Sequence, residues 1–259
     1  MAGHLSVTDA RVTYKLPGRR TLAAVDGVSI DLAPGEVLGL VGESGCGKST
    51  LARAICGLEP LASGSINFDG DTVSTLGLRK RPRRLLRIQM VFQNPYSSLN
   101  PGRRVGAQIE DALAIAGDER SNVEQLLDDV HMDRSAAAMF PHQFSGGQRQ
   151  RIAIARAMAA RPDVLVGDEP IASLDASLQA KVATLMRDVA LKNGASLLFI
   201  SHDLSVVRVI ADRVAVMQAG RIVETDAVAS VWSAPQHPYT QRLLAAIPMA
   251  DGLGNLPRG

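Results

Sequence analysis

The sequence predicts an α/β fold: a parallel-sheet core with an N-terminal antiparallel β subdomain and an inserted α-helical subdomain. Short hairpin-like strands early in the chain, continuous apolar runs later and a helix-rich middle third support this prediction. The chain has 259 residues, and 46% of them are apolar, so a sizeable core can be buried. We expect one domain over 1–259, with its core in 1–93 and 161–231, its helical part in 94–160 and a tail over 232–259.

Three short runs near the start predict strands of an antiparallel sheet. They are Leu5 to Tyr14, Val28 to Leu32 and Ser65 to Phe68. The second run ends at Ala33-Pro34-Gly35-Glu36 and the third at Asp69-Gly70, and both segments carry turn residues.

The core is predicted from continuous apolar runs, which are typical of parallel strands covered on both faces. Val164 to Val166 and Ser196 to Ile200 are such runs, and a helical pattern from Ser177 to Lys192 lies between them. This is βαβ spacing. Val214 to Met217 and Arg221 to Glu224 predict a hairpin.

Helical apolar spacing marks the middle third of the chain, with examples at Ile109 to Ile115 and Val123 to Val130. No clear strand is predicted there. The tail after Trp232 is rich in proline and lacks a core pattern.

Composition excludes several classes of protein. A net charge of +2 argues against a nucleic-acid coat, and 3% aromatic residues argue against base-stacking platforms. Two cysteines can build neither a disulfide framework nor a four-ligand metal site. No apolar run reaches the roughly 18 residues of a membrane span. The N-terminus lacks a signal-peptide layout, so we expect a chain that stays on the cytosolic side.

The glycine-rich segment from Gly42 to Ser49 predicts a phosphate-binding loop (P-loop). Apolar residues Val37 to Val41 precede it, as a buried strand would, and Thr50 to Ile55 follow it as a helix. Glycines let the backbone N–H groups point at a polyphosphate, in front of the helix N-terminus. Lys48 would reach the β- and γ-phosphates, and Ser49 would ligate Mg²⁺. The alternative is a chance glycine turn. The predicted ATP-contacting residues are Gly42, Glu43, Ser44, Gly45, Cys46, Gly47, Lys48, Ser49 and Thr50.

Two carboxylates follow the apolar run at Val164. Asp168, at the end of the predicted strand, can hold Mg²⁺, and Glu169 can polarise a water for attack on a γ-phosphate. The alternative is an ordinary acidic turn at a strand end.

A second glycine-opened helix N-terminus is predicted at Ser145-Gly146-Gly147-Gln148, ahead of an amphipathic helix from Arg149 to Ala160. The chain therefore has two phosphate-seeking elements but one Lys-bearing loop. A composite site, in which the second element faces a nucleotide held by another subunit, explains this economically. The alternative is a simple helix cap.

Taken together, these motifs resemble ATP-binding-cassette (ABC) ATPases, whose P-loop core is RecA-like, over nearly the whole chain. Ser145 to Gln148 resembles their signature motif. The resemblance implies that Tyr14 stacks on adenine, that Gln93 senses Mg²⁺ and that His202 contacts the γ-phosphate. Ser173, Leu174 and Asp175 resemble the D-loop, which crosses to the opposite subunit.

Each of these positions has a structural alternative. Tyr14 could be a core strand residue, Gln93 a surface polar group and His202 an ordinary strand-end histidine. Cys46 is expected to have no catalytic duty, although a helix N-terminus would lower its thiol pKa. Cys56 is expected to be a small buried residue.

Two segments resemble the oligopeptide/dipeptide/nickel importers within this family. Phe92 to Pro101 resembles their extended Q-loop, and Ala234 to Leu244 resembles their C-terminal segment. Members of this group often carry cysteines after that segment for an iron–sulfur cluster, whereas none follows Cys56 here, so no cluster is predicted. The chain also departs from the family pattern at two places. Phe144 stands before the signature motif where leucine is usual, and the segment from Pro170 to Asp175 has fewer hydroxyl side chains than the family's frequent sequence.

A basic run, Arg79 to Arg84 with Arg87 nearby, has three interpretations. It could be a solvated face, a contact with anionic lipid headgroups beneath a permease, or a nucleic-acid site.

The resemblance implies an ATP hydrolase, with Mg²⁺ at Ser49, Gln93 and Asp168 and with Glu169, His202 and Gln93 as catalytic residues. It would power an importer of peptides or similar small solutes from the cytoplasmic face of the cell membrane. Expected partners are permease subunits, a second and preferably different ATPase subunit, and indirectly an extracytoplasmic solute-binding protein, but no nucleic acid. The alternatives are a nickel or metal-chelate importer, a non-transport cassette ATPase, a P-loop kinase and an exporter.

Overall fold

A computed structural model describes most of the chain. The described residues are 3–18, 21–77, 82–94, 98–117 and 122–246. Part of the basic run (79–81), part of the extended Q-loop (95–97) and the tail from 247 onward lie outside these ranges.

Four strands form an antiparallel sheet in the order β2-β1-β4-β5. The strands are β1 (Leu5–Lys15), β2 (Thr21–Leu32), β4 (Ser63–Phe68) and β5 (Asp71–Thr72). Ala10, Val12, Val25 and Val28 are fully or almost fully buried on one face of this sheet. The sequence predicted an antiparallel sheet here, and the structure shows that it covers one side of the core.

A second sheet has six strands in the order β10-β9-β3-β8-β7-β6. All its pairs are parallel except the β9–β10 hairpin. The strands are β3 (Val37–Val41), β6 (Ile88–Val91), β7 (Val164–Asp168), β8 (Ser196–Ile200), β9 (Arg213–Gln218) and β10 (Arg221–Ala227).

Side chains of this sheet alternate between two hydrophobic cores. Val37 and Phe199 lie in the core on the helical side, whereas Leu38 and Ile200 lie in the core beneath the antiparallel sheet. Successive side chains of a strand point to opposite faces, so a strand covered on both sides is apolar at every position. This confirms the predicted α/β class and explains the continuous apolar runs.

Helices cover the second sheet and build the middle segment. They are α1 (Lys48–Ile55), α2 (Val105–Ala116), α3 (Val123–Asp129), α4 (Gly146–Ala159), α5 (Ala176–Lys192), α6 (Leu204–Ile210), α7 (Val228–Ser233) and α8 (Pro238–Ala245). Within the described part of 94–160 no strand occurs. No described helix is both long and apolar enough to cross a membrane.

The structure adds elements that the sequence did not predict, namely β5, β6, α6, α7 and α8. β6 is a four-residue strand at the sheet edge, and α8 forms in the proline-rich tail, with Tyr239 only 3% exposed.

The described end of the basic run forms ion pairs within the chain. Arg84 lies 3.2 Å from Asp71, and Arg87 lies 2.5 Å from the buried Asp163. These two arginines therefore form intramolecular ion pairs, although their side chains are about half exposed, at 51% for Arg84 and 47% for Arg87.

Phe199 tests the two-faced core, since its side chain is fully buried in central strand β8. Phe199→Ala should lower the free energy of unfolding by about 3–5 kcal/mol because it leaves a cavity. Urea denaturation would measure this. The control is Val209→Ala at a 67% exposed position, where a change within about 0.5 kcal/mol is expected. Equal losses in both variants would contradict the assigned burial.

Candidate functional site

The P-loop joins β3 to α1, and two of its glycines cannot be replaced without a clash. Gly42 has φ +153° and Gly47 has φ +110°. A Cβ at Gly42 would lie 2.1 Å from the Met217 carbonyl oxygen, and one at Gly47 would lie 2.0 Å from the Ala24 carbonyl oxygen. The loop therefore packs directly on backbone, which only glycine permits.

Lys48 is 3% exposed, so its ammonium needs partners inside the protein. Its Nζ donates to the carbonyl oxygens of Gly42 at 2.8 Å and Glu43 at 2.9 Å. The Glu169 carboxylate lies 3.9 Å away. The lysine thus points back over its own loop, toward the space that the loop encloses.

Ser49 and Asp168 form the next pair. The Ser49 hydroxyl donates to Asp168 Oδ1 at 2.7 Å. Burial raises the pKa of Asp168, and the Ser49 hydrogen bond opposes that rise. Among the residues the structure describes, no group of three or more His, Cys, Asp or Glu forms a metal cage. One hydroxyl and one carboxylate nevertheless fit Mg²⁺, which typically takes few protein oxygens and fills its shell with phosphates and water.

Glu169 lies at the centre of the predicted catalytic residues. Gln93 Nε2 donates to Glu169 Oε2 at 3.4 Å, and His202 Nδ1 lies 3.5 Å from the same oxygen. Glu169 has φ +46°, an uncommon value for a residue with a side chain. Its N–H donates to the Ile200 carbonyl oxygen at 3.0 Å, which fixes this backbone at the end of β7. Such strain is often found at functional sites.

A cavity of about 260 Å³ opens beside these groups. Tyr14 lines it together with P-loop residues and Glu169, whereas Glu43 and Ser44 lie exposed on the loop. Its lining residues are Tyr14, Leu22, Ala24, Gly45, Gly47, Lys48, Ser49, Thr50 and Glu169. A lining that includes both an aromatic ring and a phosphate-binding loop suits a nucleotide.

The second glycine motif does not line this cavity. Ser145 caps α4: its Oγ accepts from the Gln148 N–H at 3.3 Å, and the Gln148 side chain accepts from the Ser145 N–H at 2.9 Å. Ser145, Gly146 and Gln148 are exposed, and Gly147 is buried. The α4 N-terminus therefore faces outward from the single chain.

The predicted D-loop lies next to this helix end. A Cβ on Gly146 would lie 3.8 Å from Leu174 Cδ2. Asp175 caps α5 by accepting from the Leu178 N–H at 3.1 Å, and the Ser177 hydroxyl helps to hold its pKa below the ordinary value. Ser173, the residue before Leu174, is exposed.

Cys46 differs from the expectation. It is 8% exposed, and burial raises the pKa of its thiol although Lys48 Nζ lies 3.8 Å away. Desolvation of the thiolate outweighs the nearby positive charge, so the predicted lowering of this pKa was wrong.

Sequence reasoning missed two supports of the P-loop. The Gly220 N–H, in the β9–β10 turn, donates to the Cys46 carbonyl oxygen at 2.9 Å. The Tyr239 hydroxyl accepts from the Glu43 N–H at 3.0 Å. Both contacts join segments far apart in the chain. One related signal was present in the sequence, since the tail segment that contains Tyr239 resembles the C-terminal segment of the importers, but that resemblance did not indicate a contact with the P-loop.

Comparison with known proteins agrees with this geometry. The family described as ABC transporter matches residues 25–172. A Brucella abortus (strain 2308) protein that carries the name of a peptide import ATP-binding protein is 48% identical over 90% of this chain and 72% of its own length. The solved structure of cbiO1 from Clostridium perfringens, part of the ABC transporter complex cbiONQ, has a TM-score of 0.73 at 26% identity. It covers 89% of this chain and 90% of its own.

A dimeric structure of the ATP-binding cassette MJ0796, in a post-hydrolysis state with ADP and Pi, gives a TM-score of 0.71 at 25% identity. The match covers 86% of this chain and 98% of that one. The fold and site thus define an ATP-binding cassette. The chain belongs to the ABC transporter family, and it is an ATP-binding, ATP-hydrolysing subunit.

Gly47→Ala tests the phosphate cradle. The new methyl group would meet the Ala24 carbonyl, so the affinity for MgATP should fall at least about tenfold, or 1.4 kcal/mol. Titration calorimetry would measure it. The control is Gly35→Ala, which has φ +73° but no atom within 4 Å of the added Cβ. That variant should be strained and less stable yet bind ATP normally; equal ATP affinities in the two variants would contradict the clash.

Proposed function

We propose that this chain binds and hydrolyses MgATP in a dimer of ATPase subunits and thereby powers a membrane importer of peptides. The observation that carries the proposal is the position of Glu169, which lies among Lys48, Gln93 and His202 beside the P-loop. A carboxylate in this position would orient a water for attack on a bound γ-phosphate.

Nucleotide binding would use the cavity end to end. The adenine ring would stack on Tyr14, and the phosphates would lie over the backbone N–H groups from Gly45 to Thr50. Lys48 would turn its ammonium from the loop carbonyls to the β- and γ-phosphates. Ser49 and Asp168 would hold Mg²⁺, with Gln93 as a further oxygen ligand. The metal would neutralise charge that develops on the phosphate oxygens.

Hydrolysis would depend on the residues around Glu169. Its carboxylate would accept a hydrogen bond from the attacking water and so orient it in line with the γ-phosphate. Gln93 and His202 contact the same carboxylate oxygen in this structure. In the closed site His202 would donate to the γ-phosphate, and its Glu169 contact would hold the ring in place.

The remaining half of the site would come from a second subunit. Ser145, Gly146 and Gln148 are exposed on the single chain, and a helix N-terminus attracts phosphate. The dimeric MJ0796 cassette with ADP and Pi supports this assembly. We favour a heterodimer, because importers of the resembling group often pair two different ATPases. ATP would favour the closed dimer, and hydrolysis would release it.

The transported solute is inferred from the tail and the relatives. The segment Ala234 to Leu244 resembles the peptide importers, and proteins of Brucella abortus and Brucella ovis that are 48% and 45% identical carry peptide import names. Permease subunits would hold this chain at the cytoplasmic face of the membrane, and a solute-binding protein would deliver the peptide outside. A nickel or metal-chelate importer is the alternative.

Glu169→Gln tests the catalytic proposal. The amide keeps the shape but accepts the water proton poorly, so kcat of the permease complex should fall about 10²- to 10⁴-fold. MgATP binding should persist, and ATP should hold the variant in a closed dimer on size-exclusion chromatography. The control is Glu110→Gln on the exposed side of α2, which should leave turnover unchanged. Unchanged turnover in Glu169→Gln would place hydrolysis at the partner's site instead.

Subunit composition tests the pairing. Native mass spectrometry of the purified transport complex should find one copy of this chain beside one copy of a different ATPase subunit. The expectation rests on the resemblance to importers that often pair two different ATPases. Two copies of this chain would contradict the heterodimer while leaving a composite site in place.

A further inference from the structure

The tail helix α8 contacts the P-loop directly. Tyr239 is 3% exposed, and its hydroxyl oxygen accepts a hydrogen bond of 3.0 Å from the Glu43 N–H. Glu43 is the second residue of the P-loop, and 196 positions separate the two residues in the chain. A buried phenol needs a polar partner, and the partner of the Tyr239 hydroxyl is the Glu43 N–H of the P-loop.

The tail is itself anchored before it reaches the loop. Glu224 in β10 accepts from the Gln236 N–H through Oε1 and from the His237 N–H through Oε2, each at 2.9 Å. Burial raises the pKa of Glu224, but the surrounding donors, the Gln236 N–H first and then the Thr240 hydroxyl and the His237 N–H, outweigh that effect and hold the pKa below the ordinary value. His237 Nδ1 then accepts from the Tyr239 N–H at 3.1 Å and caps α8. A chain of polar contacts therefore runs from β10 to Tyr239.

The same part of the loop is held from its other side by Lys48. Its ammonium binds the carbonyl oxygens of Gly42 and Glu43. In the proposed binding mode, Lys48 turns from these carbonyls toward the phosphates of ATP. At that moment the Glu43 carbonyl loses a partner, whereas the Tyr239 contact at the Glu43 N–H does not depend on the lysine.

We propose that Tyr239 is a positioning residue of the ATP site, which fixes the Glu43 amide and keeps the first half of the P-loop in its binding shape. The proposal rests on the proposed role of the P-loop and extends the site to the C-terminal segment. A loop that is already ordered loses less conformational freedom when it binds ATP. The hydroxyl, more than the ring, should therefore contribute to ATP affinity.

Tyr239→Phe tests the hydroxyl alone, because the ring remains and the tail stays packed. The Kd for MgATP of the full chain should rise about threefold to tenfold, as expected for one net hydrogen bond. In the permease complex KM should rise while kcat stays constant. Hydrogen exchange of the Glu43 amide, measured by NMR without nucleotide, should become faster. Thr72→Val is the matched control, since it removes a hydroxyl that bonds Asn67 in the antiparallel sheet.

Glu224→Gln tests the route through the tail. Its single carboxamide oxygen can accept from only one of the two N–H groups, and its NH₂ would face the other. The variant should raise the Kd for MgATP in the same direction as Tyr239→Phe. If both residues act through one contact, the Kd for MgATP of the double variant should not exceed the higher Kd of the two single variants.

The outcomes separate this proposal from the proposed function. Wild-type chain that fails to bind MgATP would overturn the proposed function, and Glu43 exchange would still decide the Tyr239 contact. Wild-type affinity together with unchanged Glu43 exchange in Tyr239→Phe would overturn the positioning role and leave Tyr239 a core residue. Full additivity in the double variant would overturn the route through Glu224.

Discussion

The buried ammonium of Lys48 is the interaction on which the site depends. At 3% exposure it cannot rely on water, so the surrounding backbone must supply acceptors. The Gly42 and Glu43 carbonyls do so, and this forces the loop to curl around the lysine side chain. Such a curl brings Gly42 and Gly47 against neighbouring backbone, where no side chain fits. The loop is thus held by the lysine from inside and by neighbouring backbone from outside.

Parallel strand pairing brings the remaining groups to that lysine. β3, β7 and β8 run in the same direction, and Asp168 is paired in register with Ile200. The carboxyl ends of the strands therefore meet at one edge of the sheet, where ligands of such folds bind. Gly42, Glu169 and His202 each follow one of these ends. Residues from three distant parts of the chain share a site because of register alone.

The sequence was a good guide where side-chain pattern or loop chemistry decides the structure. The P-loop between a buried strand and a helix, and the strands at Val164 and Ser196, needed no distant information. β6 was missed because four residues, with Gln89 among them, are too short to show a period. Tyr239 and the Cys46 pKa were missed for a different reason. Both depend on which distant segment packs against the P-loop, and no local pattern records that.

The capping box of α4 has a consequence for the proposed dimer. Ser145 Oγ accepts the Gln148 N–H, so the cap uses the oxygen lone pair and leaves the hydroxyl proton free to donate. The same hydrogen bonds order the N-terminus of α4 before any phosphate arrives. An exposed element that is already ordered and still has a proton to donate is suited to a ligand held by another subunit. Closing over ATP would then require movement of whole subunits, with little rearrangement of the signature itself, and such a rigid-body motion is what a permease could use.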